Sequence, residues 1–139
     1  MQESGKEQTV TYRNKEYLSS VVRVPDESMP VVVNESGDRY VDNKITLNLK
    51  LKEGGKQVFA QTFTKQNFSS VVSAEFLRNA ILEGMVYDKT TPQGIVYAAS
   101  LCYPHTDLYV PVAITISADG KMSMVKEDLM EEVYVSESP

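Results

Sequence analysis

The chain has 139 residues, 42% of them hydrophobic and 24% charged, with 19 acidic against 14 basic side chains and a net charge of -5. That length and composition fit one globular core and exclude a disordered or collagen-like chain, while the acidic balance repels phosphate backbones and anionic surfaces, so no nucleic acid is expected as a partner. The lone cysteine, Cys102, cannot close an intramolecular disulfide, and no run approaches the roughly 20 apolar residues that a membrane-spanning helix needs.

Residues 1–8 offer little to bury, which predicts a flexible tether ahead of a single globular domain over residues 9–139. They also lack the basic, apolar and small-residue order of a signal peptide. From Thr9 to Val24 the pattern is strand-like, with a polar break at Asn14-Lys15 and a stop at Pro25-Asp26. Val31, Val32 and Val33 are β-branched, stiff in a helix and suited to a pleated surface. They predict a short edge strand closed by a turn from Asn34 to Asp38.

Ile45, Leu47, Leu49 and Leu51 alternate with Thr46, Asn48, Lys50 and Lys52. A two-residue period sends one face to a core and the other to water, which is antiparallel strand behaviour. Glu53-Gly54-Gly55-Lys56 supplies a turn, and Val58 to Phe63 returns to complete a hairpin. The period then changes. Phe76, Leu77, Ala80, Ile81 and Gly84 fall three and four apart, predicting a helix over residues 73–83 capped by Ser73 and stopped at Gly84, with one extra turn at Lys65 to Phe68.

Ile95 to Tyr103 is apolar or small on both faces, which predicts a central strand covered by the helix on one side. A turn at Tyr103 to Asp107 leads to an alternating strand from Leu108 to Ile116, in which Pro111 predicts a bulge or an edge position. Asp119-Gly120 suits a type I′ turn into a strand at Met122 and Met124, and the acidic residues 126–139 add a last strand or fray. The fold expected is α+β: one antiparallel sheet made of the 45–63 hairpin and the 95–125 meander, with the helix on one face. A β-sandwich or barrel-like arrangement is the alternative.

Several short segments together resemble a family of small secreted lipoproteins of unknown function from Bacteroidetes-type gut bacteria. They are Tyr40-Val41-Asp42, the run FAQTFTKQNF from Phe59 to Phe68, ILEGMVYD from Ile81 to Asp88, Tyr103-Pro104 with Thr106-Asp107, and Ile114-Thr115-Ile116 ahead of Asp119-Gly120. The resemblance implies an extracytoplasmic, cell-envelope domain, joined to a membrane only through a lipidated cysteine lying before Met1. It brings no reaction and no catalytic residues.

His105, the one histidine, lies with Cys102 and Asp107 in a single turn region. Zinc takes three or four protein ligands, and these residues do not supply them on one face, so no metal or cofactor is expected. A nucleophilic Cys102 would need a base within reach and an electropositive setting, whereas it stands in the most apolar strand. Phosphate loops, serine elbows and HExxH arrangements are missing from the sequence. What remains is a group of tyrosines: Tyr97, Tyr103 and Tyr109, read as sharing strand faces near the turn that carries His105 and Asp107. Their rings suit stacking on a glycan or a peptide. The expected function is a non-catalytic binding or accessory domain with a glycan, peptide or protein partner. The rival is a hydrolase-type enzyme using acidic residues in a cleft near Tyr103 to Tyr109.

Overall fold

A computed structural model describes residues 4–104, 106 and 108–127. Two four-stranded antiparallel sheets enclose one apolar core, so the sandwich alternative describes the molecule, without closure into a barrel. The expected single sheet is corrected: the 45–63 hairpin lies in one sheet and the 95–125 meander in the other.

The first sheet contains β1 (Ser4–Tyr12), β2 (Lys15–Pro25), β5 (Asn43–Leu51) and β6 (Gln57–Phe63), in the order β1-β2-β5-β6. Between β2 and β5 a small separate hairpin is inserted, β3 (Val32–Val33) and β4 (Arg39–Tyr40). Pairing of β1 with β2 runs from Ser4 opposite Arg23 to Tyr12 opposite Lys15, so the expected tether is strand from Ser4 onward. The turn joining them uses Arg13 at φ 52° and Asn14 at φ 63°. Two consecutive left-handed residues make a tight turn whose twist suits a hairpin, and without glycine its sequence signal is weak. In β5 the alternation holds as expected, with Ile45, Leu47 and Leu49 wholly buried. Each such side chain contributes about 1.5–3 kcal/mol by leaving water.

The connection between the sheets begins with a 3-10 turn at Lys65–Phe68, followed by α1 (Ala74–Asn79). Ser73 caps α1 as expected, its hydroxyl accepting the Phe76 amide at 3.2 Å. The helix is half as long as its predicted span, because Ala80 is extended and β7 (Ile81–Thr91) starts at the next residue. Gly84 is therefore a strand residue and no helix stop. The misleading spacing has a physical cause: the register shifts between Leu82 and Gly84, so Ile81 and Gly84, three apart, pair with Cys102 and Ser100 and share the outer face of the sheet. A bulge in a strand reproduces a helical interval.

The second sheet runs β10-β9-β8-β7, a continuous meander of β7, β8 (Gly94–Cys102), β9 (Tyr109–Ile116) and β10 (Met122–Lys126). β8 is an inner strand as expected, yet its outer residues Ala98, Ser100 and Cys102 are partly exposed instead of lying under the helix. Pro111 sits in an inner strand with regular pairing opposite Ser100, neither bulged nor at an edge. Its carbonyl accepts the Glu127 amide at 2.8 Å, just past the last residue of β10. A residue's N–H and C=O point to the same side of a strand, so the missing proline donor faces that worn-out end and no bond to β8 is lost. The turn from Ser117 to Lys121 has a Gly120 amide bonded to the Ser117 carbonyl, and only Gly120 has positive φ, 83°. That is a type I turn followed by a left-handed glycine, where type I′ was expected. The acidic stretch expected to add a strand or fray lies outside the described residues after Glu127.

Candidate functional site

One end of the sandwich gathers the β3–β4 hairpin, the end of α1 and the loop from Tyr103 to Leu108 around a cleft of about 610 Å³. The hairpin wall is fixed by a side chain that imitates backbone: Asn34 Oδ1 accepts the Asp38 amide at 2.9 Å while the Asn34 amide donates to the Asp38 carbonyl at 3.0 Å. Opposite it, Thr106 ties the other loop, its hydroxyl donating to the Tyr103 carbonyl at 2.8 Å and accepting the Leu108 amide at 3.1 Å. Tyr103 stacks on Phe76 of α1 with ring centroids 4.6 Å apart and planes 19° from parallel. Offset stacking of this kind holds an aromatic platform in place. The remaining described lining includes Glu35, Ser36, Asn79 and the exposed apolar side chains Val33 and Leu108.

The expected tyrosine patch is not assembled. Tyr97 faces inward, wholly buried, its hydroxyl 2.6 Å from Ser19 Oγ. Tyr109 pairs with Cys102, one residue out of phase with the buried Leu101, and is therefore on the opposite sheet face and 48% exposed. Tyr103 alone of the three lines the cleft. His105 and Asp107 lie outside the described residues. Sequence reading missed Asn34 and Asp38 as partners of that cleft, because they come from a hairpin far along the chain, and their one signal was turn composition.

Behind the cleft is a buried polar knot. Asp42, just before β5, and Asn43, its first residue, are almost without exposure, as is Lys65 at the start of the 3-10 turn. Asp42 Oδ1 accepts the amides of Asn43 at 2.8 Å and Leu82 at 2.9 Å, and Asn43 Nδ2 donates to the Leu82 carbonyl at 2.9 Å. Lys65 Nζ donates to the Ala80 carbonyl at 2.7 Å and stands 3.5 Å from Asp42 Oδ2. Three of the segments that carry the resemblance, those containing Asp42, Lys65 and Leu82, meet here. The knot joins the first sheet, the connection and the first residues of the second sheet.

A family model for a domain of unknown function, DUF4738, matches residues 1–124. The chain belongs to the DUF4738 family. The match takes in the cleft, the knot and both sheets as far as Met124, so in this DUF4738 domain every site described above lies within the family's span. No curated protein matches the chain.

Two further points bear on the chemistry open to this DUF4738 domain. Cys102 is partly exposed, not fully buried as its apolar strand suggested. Burial, then the charge of Glu83 and a hydrogen bond to it, and then the charge of Asp42, push the Cys102 thiol up to about 11. It is protonated at neutral pH, the wrong form for a nucleophile. Among the described residues no three His, Cys, Asp or Glu side chains are grouped to hold a metal ion.

Proposed function

We propose that this domain is a non-catalytic binding or accessory module of the cell envelope, and that its ligand surface is the cleft between the Asn34–Asp38 turn and the Tyr103–Leu108 loop. The observation that carries the reading is Tyr103, an aromatic ring backed by Phe76 at 4.6 Å and bordered by carboxylate, amide and hydroxyl groups. A flat ring beside hydrogen-bonding groups suits a glycan, or a peptide with a ring or a polar side chain to offer. The chemistry of the lining supports binding through several modest contacts.

The envelope location follows from the resemblance of the quoted segments to secreted lipoproteins, with attachment through a lipidated cysteine preceding this sequence. No helix among the described residues is long and apolar enough to cross a membrane. Labelling of the native gene product with a radioactive fatty acid checks the attachment, and failure to label removes it.

Arrays of glycans and peptides, probed with wild type, Tyr103→Ala and Asp38→Ala, test the cleft. Binding by wild type that both substitutions weaken is the expected result. Equal binding by all three, or by none, sinks the cleft as the ligand surface. Turnover of a bound glycan or peptide would favour the hydrolase reading instead.

A further inference from the structure

The geometry points to an amide bond between the Lys65 amine and the Asp42 carboxyl, formed by the folded chain from its own side chains. This inference stands apart from the cleft and does not depend on it. Asp42 has no exposed side-chain surface and Lys65 retains 7%, with Nζ 3.5 Å from Oδ2. The two carboxyl oxygens have opposite surroundings. Oδ1 accepts two fixed backbone N–H groups, from Asn43 and Leu82, the arrangement that stabilises the oxyanion of an acyl-transfer intermediate. Oδ2, the oxygen beside the amine, accepts no hydrogen bond among the described residues, so none has to be broken when it leaves. The amine is itself positioned, donating to the Ala80 carbonyl at 2.7 Å. Holding both reactants in place removes the orientational cost of joining them.

Two charges sealed from water are costly to keep, and condensation removes both at once. A proton passes from the Lys65 ammonium to Asp42 Oδ2, leaving a neutral amine and a carboxylic acid. The amine lone pair attacks Cγ, and negative charge collects on Oδ1 between its two N–H donors. A second proton moves from nitrogen to Oδ2. The Nζ–Cγ bond has formed, the Cγ–Oδ2 bond breaks, and Oδ2 leaves as water with two of the three ammonium protons. The third stays on the new amide nitrogen, free to keep the Ala80 carbonyl as acceptor. The reaction consumes no oxidant, reductant or second substrate.

Intact-mass spectrometry of the purified full chain after incubation at neutral pH decides the matter. Wild type is expected to weigh about 18 Da less than its sequence, one water, and proteolysis to release a branched peptide containing Asp42 and Lys65. Lys65→Arg is expected to have its full mass. Asp119-Gly120 can also lose water by closing a succinimide, so the peptide map assigns the loss. Full mass in wild type overturns the inference, as does a deficit that persists in Lys65→Arg or maps to Asp119.

Discussion

Ser19 on β2 and Tyr97 on β8 bridge the two sheets through a 2.6 Å hydroxyl–hydroxyl hydrogen bond, with 1% and 0% of their surfaces exposed. Neither hydroxyl can turn to water if the other is removed. Tyr97→Phe and Ser19→Ala should therefore each destabilise by roughly 1–3 kcal/mol, the cost of a buried polar group left alone. The double substitution, which removes both polar groups, should cost less than the sum. Urea unfolding of the four proteins measures the coupling, and strict additivity would show that the bond contributes nothing.

The same tyrosine gives a pH dependence. Burial pushes the Tyr97 hydroxyl above the ordinary 10.0, outweighing the lowering by Ser19, and the neighbouring Tyr87 adds a smaller upward push. In the unfolded chain this tyrosine ionises first, so its contribution to stability is full below pH 10.0 and is lost as pH rises through the folded value. Alkaline unfolding followed by phenolate absorbance should show Tyr97 ionising together with loss of structure. Tyr97→Phe should flatten that limb, and an unchanged alkaline limb in the variant would remove Tyr97 as its source.

Gly120 and Gly55 both have positive φ, 83° and 71°, but only Gly120 is crowded, since a Cβ there would run into the Val58 carbonyl oxygen on β6. Gly55→Ala meets nothing and should cost about 1–2 kcal/mol for the left-handed backbone alone. Gly120→Ala carries that cost and a clash with backbone that cannot swing aside. Thermal melts should rank Gly120→Ala well below Gly55→Ala. Equal melting temperatures would mean that the β9–β10 turn is not seated on β6.

The strands whose burial follows a strict two-residue period were legible, and β5 is the clearest because Ile45, Leu47 and Leu49 face the core without interruption. Legibility failed where geometry departs from the period. The bulge after Leu82 set Ile81 and Gly84 on one face and disguised the start of β7 as the end of a helix. The Arg13–Asn14 turn adopts left-handed backbone without glycine and left the first hairpin looking like one broken strand. Which sheet each hairpin joins depends on contacts across the core, such as Ser19 with Tyr97, that no local pattern encodes. The candidate cleft was half legible: Tyr103 was named, while Tyr97 and Tyr109 went to opposite faces by simple alternation from Leu101 and Cys102. Asn34 and Asp38 reach the cleft only through tertiary packing.

While its carboxylate is still free of Lys65, Asp42 has two duties that substitutions can separate. Asp42→Asn keeps an oxygen for the Asn43 and Leu82 amides but removes the charge facing Lys65, whereas Asp42→Ala abandons both. Asp42→Asn should destabilise by about 3–5 kcal/mol, the range for orphaning a buried charge. Asp42→Ala, which also leaves the Asn43 and Leu82 amides without an acceptor, should cost more. Denaturant midpoints of the two variants test the order, and an Asn variant as weak as the Ala variant would place the whole effect on the charge.

Cys102 offers the sharpest reading of local electrostatics on the second sheet's outer face. Its thiol is pushed from an ordinary 9.0 to about 11, first by burial and then by Glu83, which opposes a thiolate by charge and holds the thiol by a hydrogen bond. Two pH units correspond to about a hundredfold less thiolate at neutral pH than in an unperturbed cysteine, and thiolate is the reactive form. Alkylation of the folded protein should be slower than that of a free thiol by about that factor, rising tenfold per pH unit until the shifted value is reached. Glu83→Gln removes the charge while leaving an oxygen for the Ser100 hydroxyl, which donates to it at 3.0 Å, so the variant should be labelled faster at a given pH. Identical rates in wild type and Glu83→Gln would leave burial and the more distant Asp42 charge as the causes, and labelling of wild type at the rate of a free thiol would contradict the shift itself.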